Sequence, residues 1–440
     1  MALGGGMWVT QNKKLPGAYI NFVSSKNANA ILSDRGIVAM PIIIGWGKDD
    51  EVFEVTGEDF KENSLKLLGY GLADDALAPL RDLFLNIKKA YLYKVNTGGA
   101  KADNTYCTAK YKGTRGNQIK TVILADETST VENPVYVVQT YFSGVLVDEQ
   151  KAITAMADLV DNDYCYWKAS ATLALTAGIT CSGGTDGEAT AASYQAFLSA
   201  IESYSFNVVG CPSTTSSIKA LFVAWAKRMR DEIGLKFQVV LHQYAEADYE
   251  GVISVENNLV GEGITTGKLV YWVAGAEAGC AVNKSLSNTV YNGEFDINVS
   301  YSQTQLETML ESGKFVFHKV NDKIRVLTDI NTFVTTTEEK KSDFSKNQVI
   351  RVLDQIGNDV AAIFNTKYLG NIPNDNSGRI SLWNDIVKHH QELERLRAIE
   401  DFSADSVTVE KGDTKESVVI TDYITPIYAM EKLYMTIVVQ

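Results

Sequence analysis

Apolar and polar positions in the middle of the chain follow a strand–helix–strand pattern. Residues 206–210 and 237–242 are short apolar runs that are typical of buried strands. Between them, residues 216–233 repeat apolar side chains at helical spacing, and Gly234 follows as a stop signal. Strands that alternate with a helix at this spacing predict a βαβ core with parallel strands, which we place within residues 181–335.

The first part of the chain predicts two smaller domains. Its apolar runs predict strands at residues 36–47, 90–95, 119–124 and 135–142. These strands define a small mixed α/β domain at residues 25–100 and a β-rich domain at residues 101–180. The β-rich domain also contains a predicted short helix at residues 149–159.

The last hundred residues predict two amphipathic helices followed by a β-meander, in a domain that we place at residues 336–440. The helices are predicted at residues 343–364 and 381–399, and His389 and His390 are expected on the solvent-facing side of the second. The predicted fold class is α/β, in an α+β multidomain arrangement. It has a central βαβ three-layer core, a small N-terminal mixed domain, a β-rich domain, and a helix-plus-β-meander C-terminal domain with extended terminal strands.

Both ends of the chain predict extended strands. Residues 1–24 read as an N-terminal arm, in which a turn signal at residues 15–17 precedes a strand. Residues 433–440 alternate so that apolar side chains lie on both faces of the final strand. Such a strand is an aggregation hazard unless it pairs with a defined partner, either its own sheet or that of another subunit. We expect it to project from its own domain, largely unpaired there. The residues predicted to form inter-subunit strands are Ala18, Tyr19, Ile20, Asn21, Phe22, Val23, Leu433, Tyr434, Met435, Thr436, Ile437, Val438 and Val439.

Composition narrows the class of partner. The chain has 440 residues, is 45% hydrophobic and 22% charged, and carries a formal net charge of −13. This acidic balance argues against a nucleic-acid partner. No run of about 18 apolar residues occurs, so direct membrane insertion is not expected. The five cysteines form no CxxC pair, which argues against a zinc site and favours free thiols in a reducing cytoplasm.

Candidate catalytic and binding motifs are weak. Residues 261–268 fail the spacing of a phosphate-binding loop, and residues 183–187 lack the preceding strand of a dinucleotide fingerprint. We therefore predict no cofactor and no metal. Cys211 and His242 end neighbouring predicted strands, so an α/β enzyme with a Cys–His nucleophile remains an alternative. A buried free cysteine and a core histidine are the simpler interpretation.

Short motifs spread along the chain carry a family resemblance. Residues 110–119 contain a "GxxGN" turn, residues 183–187 a "GGxDG" motif, residues 325–334 a "DIN" segment and residues 431–435 a closing "EKLY" strand. Together they resemble the contractile tail sheath proteins of bacteriophages and phage-like bacteriocin particles. The likeness is strongest to the shorter sheaths of Gram-positive myophages and defective prophage elements.

The resemblance implies a structural protein rather than an enzyme. Sheath subunits polymerise into a helical tube around an inner tail tube, and their terminal arms complete the sheets of adjacent subunits while the tube shortens and widens. The implied partners are other copies of the chain, the inner tail tube protein, and the baseplate and tail terminator proteins, with no nucleic acid. The implied location is a virion tail or phage-like particle made in the host bacterial cytoplasm.

Overall fold

The computed structural model describes residues 32–261 and 266–439. The predicted strand at residues 18–23 lies outside the described residues, and the glycine-rich segment 261–268 is described only in part. The strands are β1 (Ile37–Ile42), β2 (Val52–Thr56), β3 (Lys89–Lys94), β4 (Asn96–Thr97), β5 (Lys101–Asp103), β6 (Cys107–Lys112), β7 (Ile119–Ala125), β8 (Tyr136–Phe142), β9 (Val145–Ile153), β10 (Cys165–Trp167), β11 (Thr176–Thr180), β12 (Glu188–Ala189), β13 (Val208–Cys211), β14 (Gln238–His242), β15 (Val252–Val255), β16 (Lys314–Phe315), β17 (Phe317–Val320), β18 (Lys323–Val326), β19 (Ile399–Glu400), β20 (Val407–Lys411), β21 (Val418–Asp422) and β22 (Thr425–Pro426). The α-helices are α1 (Gly57–Glu62), α2 (Ser64–Leu68), α3 (Ala78–Phe84), α4 (Ala191–Ile201), α5 (Ser216–Lys227), α6 (Leu269–Gly279), α7 (Gln303–Glu311), α8 (Asn347–Ile363) and α9 (Asn376–Arg395).

The chain divides into two compact units. Among the described residues, the first unit contains those up to Ala39, Pro79–Ala90 and those from Glu202 onward, and the second contains Met40–Ala78 and Tyr91–Ile201. Each unit is therefore built from segments that are distant in sequence. The fold class is mixed α/β with several domains, as the apolar patterns predict.

A parallel sheet forms the centre of the first unit. Its strands lie in the order β16-β15-β14-β13-β1, and Val209 of β13 lies opposite Val239 of β14 on one side and Ala39 of β1 on the other. The residues of β13 and β14 are all buried, as expected when both faces of a parallel sheet are covered. Helix α5 connects these two strands and continues as a π-helical turn that ends at Gly234, whose φ is +94°. The predicted βαβ core is confirmed.

Helices α8 and α9 and the β20–β21 hairpin follow in the same unit. Helix α8 begins at Asn347, after a 3₁₀ turn, and the second predicted helix starts earlier than expected, at Asn376. The earlier start has a local cause. The Asp375 side chain accepts a hydrogen bond from the Gly378 backbone N–H at 2.7 Å and so caps the first turn.

His389 and His390 are fully buried, so the prediction that they face solvent is wrong. His389 Nε2 lies 2.9 Å from the Asp359 carboxylate, and His390 Nε2 lies 2.7 Å from that of Asp422. His390 Nδ1 lies 2.9 Å from the backbone oxygen of Ile386. Both carboxylates come from other elements, α8 and β21, and the helical pattern of α9 alone contains no signal for them.

The second unit is rich in antiparallel strands. One sheet has the order β10-β6-β5 and another the order β11-β7-β8-β9. The predicted helix at residues 149–159 is wrong, because β9 pairs antiparallel with β8 up to Ile153, and only a 3₁₀ turn at Met156–Asp158 follows. The reason is the two-residue turn between β8 and β9. Ser143 and Gly144 have φ values of +53° and +82°, which matches a hairpin that sends the chain back along β8.

Candidate functional site

The segment that follows β22 has no regular secondary structure, and from Tyr428 onward it is exposed in this single chain. Within the described part of the chain, no residue from 427 to 439 belongs to a strand. We call residues 432–439 the C-terminal arm. Its apolar side chains are largely exposed, with 85% for Leu433, 75% for Ile437 and 89% for Val439. An extended segment with apolar side chains on both faces and free backbone groups is suited to pairing with a sheet edge.

Residues 427–431, which we call the arm root, hold this segment to the first unit. The Ile427 backbone N–H donates to the backbone oxygen of Ala398 at 3.0 Å. Two residues later, the Ala429 N–H donates to the side-chain oxygen of Gln348 at 3.0 Å. The backbone of the arm root is therefore fixed on one side by β19 and its flank, and on the other by the first turn of α8.

Glu431 is the last anchored residue before the arm. Its carboxylate accepts a hydrogen bond from Ser287 Oγ at 2.6 Å and lies 2.6 Å from Lys346 Nζ. Three residues before Glu431, the Tyr428 hydroxyl donates a hydrogen bond to the Asp343 carboxylate. The side chains of Glu431 and Lys346 are about a quarter exposed, at 26% and 28%, so water screens this pair only in part.

A buried polar network continues inward from the arm root. Ser287 Oγ, which donates to Glu431, accepts a hydrogen bond from the Asp329 backbone N–H at 2.9 Å. The Asp329 carboxylate lies 3.2 Å from Arg351 Nη2, and the same nitrogen lies 2.6 Å from the Glu277 carboxyl group. The side chains of Arg351, Asp329 and Glu277 are each only 1% exposed. Two of the sequence motifs, "DIN" and "EKLY", thus meet through Ser287.

The pKa values of the two buried acids, Glu277 and Asp329, are shifted in opposite directions. Burial raises the pKa of Glu277 well above its ordinary value, and the neighbouring Asp329 raises it further. Burial also opposes ionisation of Asp329, but Arg351 and hydrogen bonds to its carboxylate outweigh this and lower its pKa. The Arg351 guanidinium therefore favours the ionised form of Asp329, whereas burial disfavours the ionised form of Glu277. A buried pair of opposite charge avoids an uncompensated ion in the core.

The candidate nucleophile pair does not have the required chemistry. Cys211 and His242 do lie at the carboxyl ends of adjacent parallel strands, but no hydrogen bond joins them among the described residues. Burial raises the pKa of the Cys211 thiol to about 12. Burial, together with Lys219, lowers the pKa of His242 to about 4. A reactive cysteine needs the opposite shift, a lowered thiol pKa.

The glycine-rich segment 183–187 serves close packing in the second unit. A Cβ on Gly187 would lie 1.7 Å from the backbone oxygen of Thr97, so only glycine fits there. The Asp186 carboxylate accepts hydrogen bonds from the Thr114 backbone N–H at 2.9 Å and from its hydroxyl at 2.8 Å. This acidic, internally bonded turn is unsuited to a phosphate.

Two further classes of site are not found in the described residues. None of the helices there has the length and apolar content needed to cross a bilayer. No cluster of His, Cys, Asp and Glu side chains in the same residues is arranged to hold a metal ion.

A polar cavity of about 20 Å³ beside Arg351 and Asp354 has room for one water molecule.

Sequence reasoning missed the arm root. Ser287 and Lys346 are distant from the arm in sequence, and nothing in their local pattern marks them. The available signal was Glu431 itself, an acidic residue that, together with Lys432, precedes an almost entirely apolar strand pattern. A carboxylate at such a position favours a fixed anchor where the chain leaves its own domain.

Three family models match successive parts of the chain. They are the phage tail sheath protein beta-sandwich domain at residues 93–186, the phage tail sheath protein central domain at residues 187–332 and the phage tail sheath C-terminal domain at residues 339–440. The phage-like element PBSX protein XkdK of Bacillus subtilis is 32% identical, and the alignment covers 99% of both chains. The tail sheath protein of Clostridium phage phiCD119 is 26% identical over 49% of this chain and 60% of that protein.

The solved structures that have a similar fold are also sheath proteins. The crystal structure of a sheath tail protein from Desulfitobacterium hafniense has a TM-score of 0.81 and 35% identity, over 95% of this chain and 99% of that one. The helical sheath of the anti-feeding prophage in its contracted state has a TM-score of 0.56 at 12% identity, over 97% of this chain and 99% of that one, and supports the fold alone. Matches along nearly the whole chain show that it belongs to the phage tail sheath protein family.

Proposed function

We propose that this chain is the structural sheath subunit of a contractile tail. It polymerises into a helical tube around an inner tail tube and contracts to drive that tube through a bacterial envelope. The observation that carries the proposal is the C-terminal arm, an anchored but unpaired segment with exposed apolar side chains on both faces. Membership of the sheath family supports it, as does the fold shared with sheaths that were solved in a contracted state.

The arm supplies enough binding energy to join subunits. Added to the sheet of a neighbour, residues 433–439 form a ladder of several backbone hydrogen bonds, each contributing about 0.5–1.5 kcal/mol net. Burying each large apolar side chain contributes about 1.5–3 kcal/mol more. Part of this gain offsets the entropy lost when the arm becomes ordered. The arm is attached to its own subunit at Glu431 and to the neighbouring subunit through the strand ladder. It therefore links the two subunits without fixing how their bodies are oriented relative to each other.

Contraction is then a change between two lattice packings. The strand joints persist, while contacts between the exposed surfaces of the bodies break and re-form. The extended lattice is trapped at a higher free energy than the contracted lattice. The work comes from the free energy released when the lattice converts, starting from one end. This mechanism uses no nucleotide and no cofactor.

The proposal includes the partners and the location. The main partner is the chain itself, and the tube also contacts the inner tail tube protein and the baseplate and tail terminator proteins. The formal net charge of −13 disfavours nucleic acid as a direct partner. The assembled protein resides in a virion tail or phage-like particle that is made in the host bacterial cytoplasm.

Proline substitution in the arm tests the role of the backbone ladder. Neighbouring N–H groups in a strand point to opposite sides, so the double variant Thr436→Pro, Ile437→Pro removes a donor whichever side faces the partner. Negative-stain electron microscopy of this variant should show discrete subunits, whereas the unchanged protein forms long hollow cylinders. Deletion of residues 433–440 should have the same effect while leaving a folded, soluble subunit.

The matched control is Thr436→Ala, Ile437→Ala, which shortens the same two side chains but retains both N–H groups. It should still form cylinders, with lower yield. Circular dichroism and the urea midpoint of all variants should equal those of the unchanged protein, because the arm is exposed in the isolated subunit. Intact cylinders from the proline variant or from the deletion would refute assembly through this strand.

A further inference from the structure

Three cysteines of the second unit share one buried cluster. Cys107 lies in β6, Cys165 in β10, and Cys181 directly follows β11. Their exposed fractions are 0%, 0% and 2%. The Sγ atoms of Cys107 and Cys181 are 3.7 Å apart. All five cysteines of the chain are free thiols in this structure.

The strand register explains why these side chains meet. Cys165 pairs with Ala109, and Cys107 with Trp167, in the antiparallel β10–β6 ladder. Residues two apart on a strand share a face, so Cys107 and Cys165 occupy diagonal positions on the same face. Cys181 comes from the other sheet of this unit, where its N–H donates to the backbone oxygen of Ile119 at 2.8 Å. The cluster therefore lies between the two sheets.

We propose that Cys107 and Cys181 form an inter-sheet disulfide when the folded protein meets a peroxide-type oxidant. A disulfide has an S–S length of about 2.05 Å, so the two sulfurs must approach by roughly 1.7 Å to bond. The cluster is thus a redox modification site that is reduced in a reducing cytoplasm and is oxidised when the protein is exposed to oxidising surroundings.

The chemistry balances with one molecule of hydrogen peroxide. The Cys107 thiolate attacks one peroxide oxygen, and the O–O bond breaks. This gives a sulfenic acid on Cys107 and a hydroxide ion, which becomes water when it takes up the proton that the thiol has lost. The Cys181 sulfur then attacks the Cys107 sulfur, its proton leaves with the departing hydroxyl group, and a second water is released. In total, two thiols lose two electrons and two protons, and peroxide is reduced to two water molecules.

Both sulfurs are almost fully buried, so peroxide reaches Cys107 through a local opening of the second unit. Hydrogen bonds from the neighbouring thiols of Cys165 and Cys181 lower the pKa of Cys107. The Thr121 hydroxyl, 3.5 Å from the Cys107 sulfur, is a further polar contact. The Cys181 sulfur, 3.7 Å from that of Cys107, lies where a resolving thiol must lie to close the disulfide.

The disulfide would close a loop between positions that are 74 residues apart in sequence. Cross-linking distant positions restricts the unfolded chain, and this effect stabilises the folded state more for long loops than for short ones. Oxidation should therefore raise the thermal midpoint of the second unit, and a dithiol reductant should restore the original value.

Mass spectrometry of the intact, folded chain tests the proposal. The purified protein is treated with hydrogen peroxide, alkylated under denaturing conditions and digested. A cross-linked peptide pair containing Cys107 and Cys181 is expected, with a loss of two hydrogen masses, while Cys211 and Cys280 become alkylated. Cys211→Ser, another buried thiol, should leave the cross-link unchanged, and Cys181→Ser should abolish it.

Two results would overturn the inference. One is that Cys107 and Cys181 stay fully alkylatable after peroxide treatment of the unchanged protein. The other is that they oxidise to sulfinic or sulfonic acids, or pair with cysteines outside the cluster, without the expected cross-link. Because the decisive measurement uses the unchanged sequence, poor folding of a serine variant does not blur the outcome.

Discussion

Replacing Glu431 tests whether the arm root is a fixed anchor. Glu431→Ala removes the acceptor for both the Ser287 hydroxyl and the Lys346 ammonium group, each now at 2.6 Å. Glu431→Gln keeps an oxygen for Ser287 but loses the charge that attracts Lys346. The two variants therefore separate the hydrogen bond from the ion pair.

The size of the effect follows from the two contacts. A hydrogen bond to a charged group contributes about 1.5–3 kcal/mol, and a partly exposed ion pair adds about 0.5–1 kcal/mol. The side chains of Glu431 and Lys346 are about a quarter exposed, so we take the lower part of the summed range. The expected loss of anchoring free energy is about 2 kcal/mol for Glu431→Ala and about 1 kcal/mol for Glu431→Gln. These values correspond to roughly 30-fold and 5-fold increases in the local opening equilibrium.

Hydrogen–deuterium exchange of the arm root measures that opening directly. The backbone amides of Ile427 and Ala429 are hydrogen-bonded reporters within the root. Their exchange should accelerate by the factors above, while the global urea midpoint stays the same, because the root opens without unfolding the core. Cylinder yield should also fall, since a loose root must be ordered on assembly.

Glu416→Gln is the matched control, because Glu416 is an exposed carboxylate on the turn between β20 and β21. It should leave exchange at both reporter amides unchanged. Glu431 is not an anchor of the arm root if the Ile427 and Ala429 amides of Glu431→Ala exchange at the rate of the unchanged protein. An even loss of protection across the first unit would also contradict a local anchor, since Glu431 would then act on global stability.

Further predictions concern the buried acids and one tight glycine. Burial raises the pKa of Glu277 above its ordinary value of 4.5, so this residue costs stability as the pH rises past 4.5. Glu277→Gln should flatten that fall in unfolding free energy in urea titrations. Asp329→Asn removes the ionised partner of a buried arginine and should cost about 3 kcal/mol at neutral pH in the same assay; a loss below about 1 kcal/mol would contradict this assignment. Gly187→Ala places a Cβ 1.7 Å from the Thr97 backbone oxygen and should cost about 3 kcal/mol or more, whereas Gly71→Ala, with nothing within 4 Å, should stay within about 0.5 kcal/mol.

The elements that could be predicted from the sequence are those determined by local apolar spacing. The two short runs that became β13 and β14 are fully buried, and α5 buries Ile218, Phe222 and Trp225 as its pattern indicates. Helix α8 also forms where it was predicted, but its residues Leu353, Ile356 and Val360 are only half-buried, while polar residues of the same helix are buried. For these elements the information lies within about twenty neighbouring residues. The exposed, unpaired state of residues 433–439 within a single chain was expected from the resemblance to sheath proteins together with the alternation of these residues.

The features that were missed depend on partners distant in sequence. His389 and His390 are buried because Asp359 and Asp422 reach them from other elements. The first part of the segment at residues 149–159 became a strand, up to Ile153, because β8 was available as its partner. The arm root needed Ser287 and the start of α8 to be brought together by the fold. Local periodicity contains none of these pairings, since side-chain satisfaction in the core is a tertiary property.

The fixed position of Glu431 gives the arm a defined reach. An extended chain advances about 3.3 Å per residue, so residues 432–439 span roughly 26 Å from their anchor. In a tube joined by this arm, the docking edge on the neighbour must stay inside that radius in every state of the lattice. The arm is then a tether whose length limits how far adjacent subunits can separate, and whose short span keeps the strand at a high local concentration near its docking site.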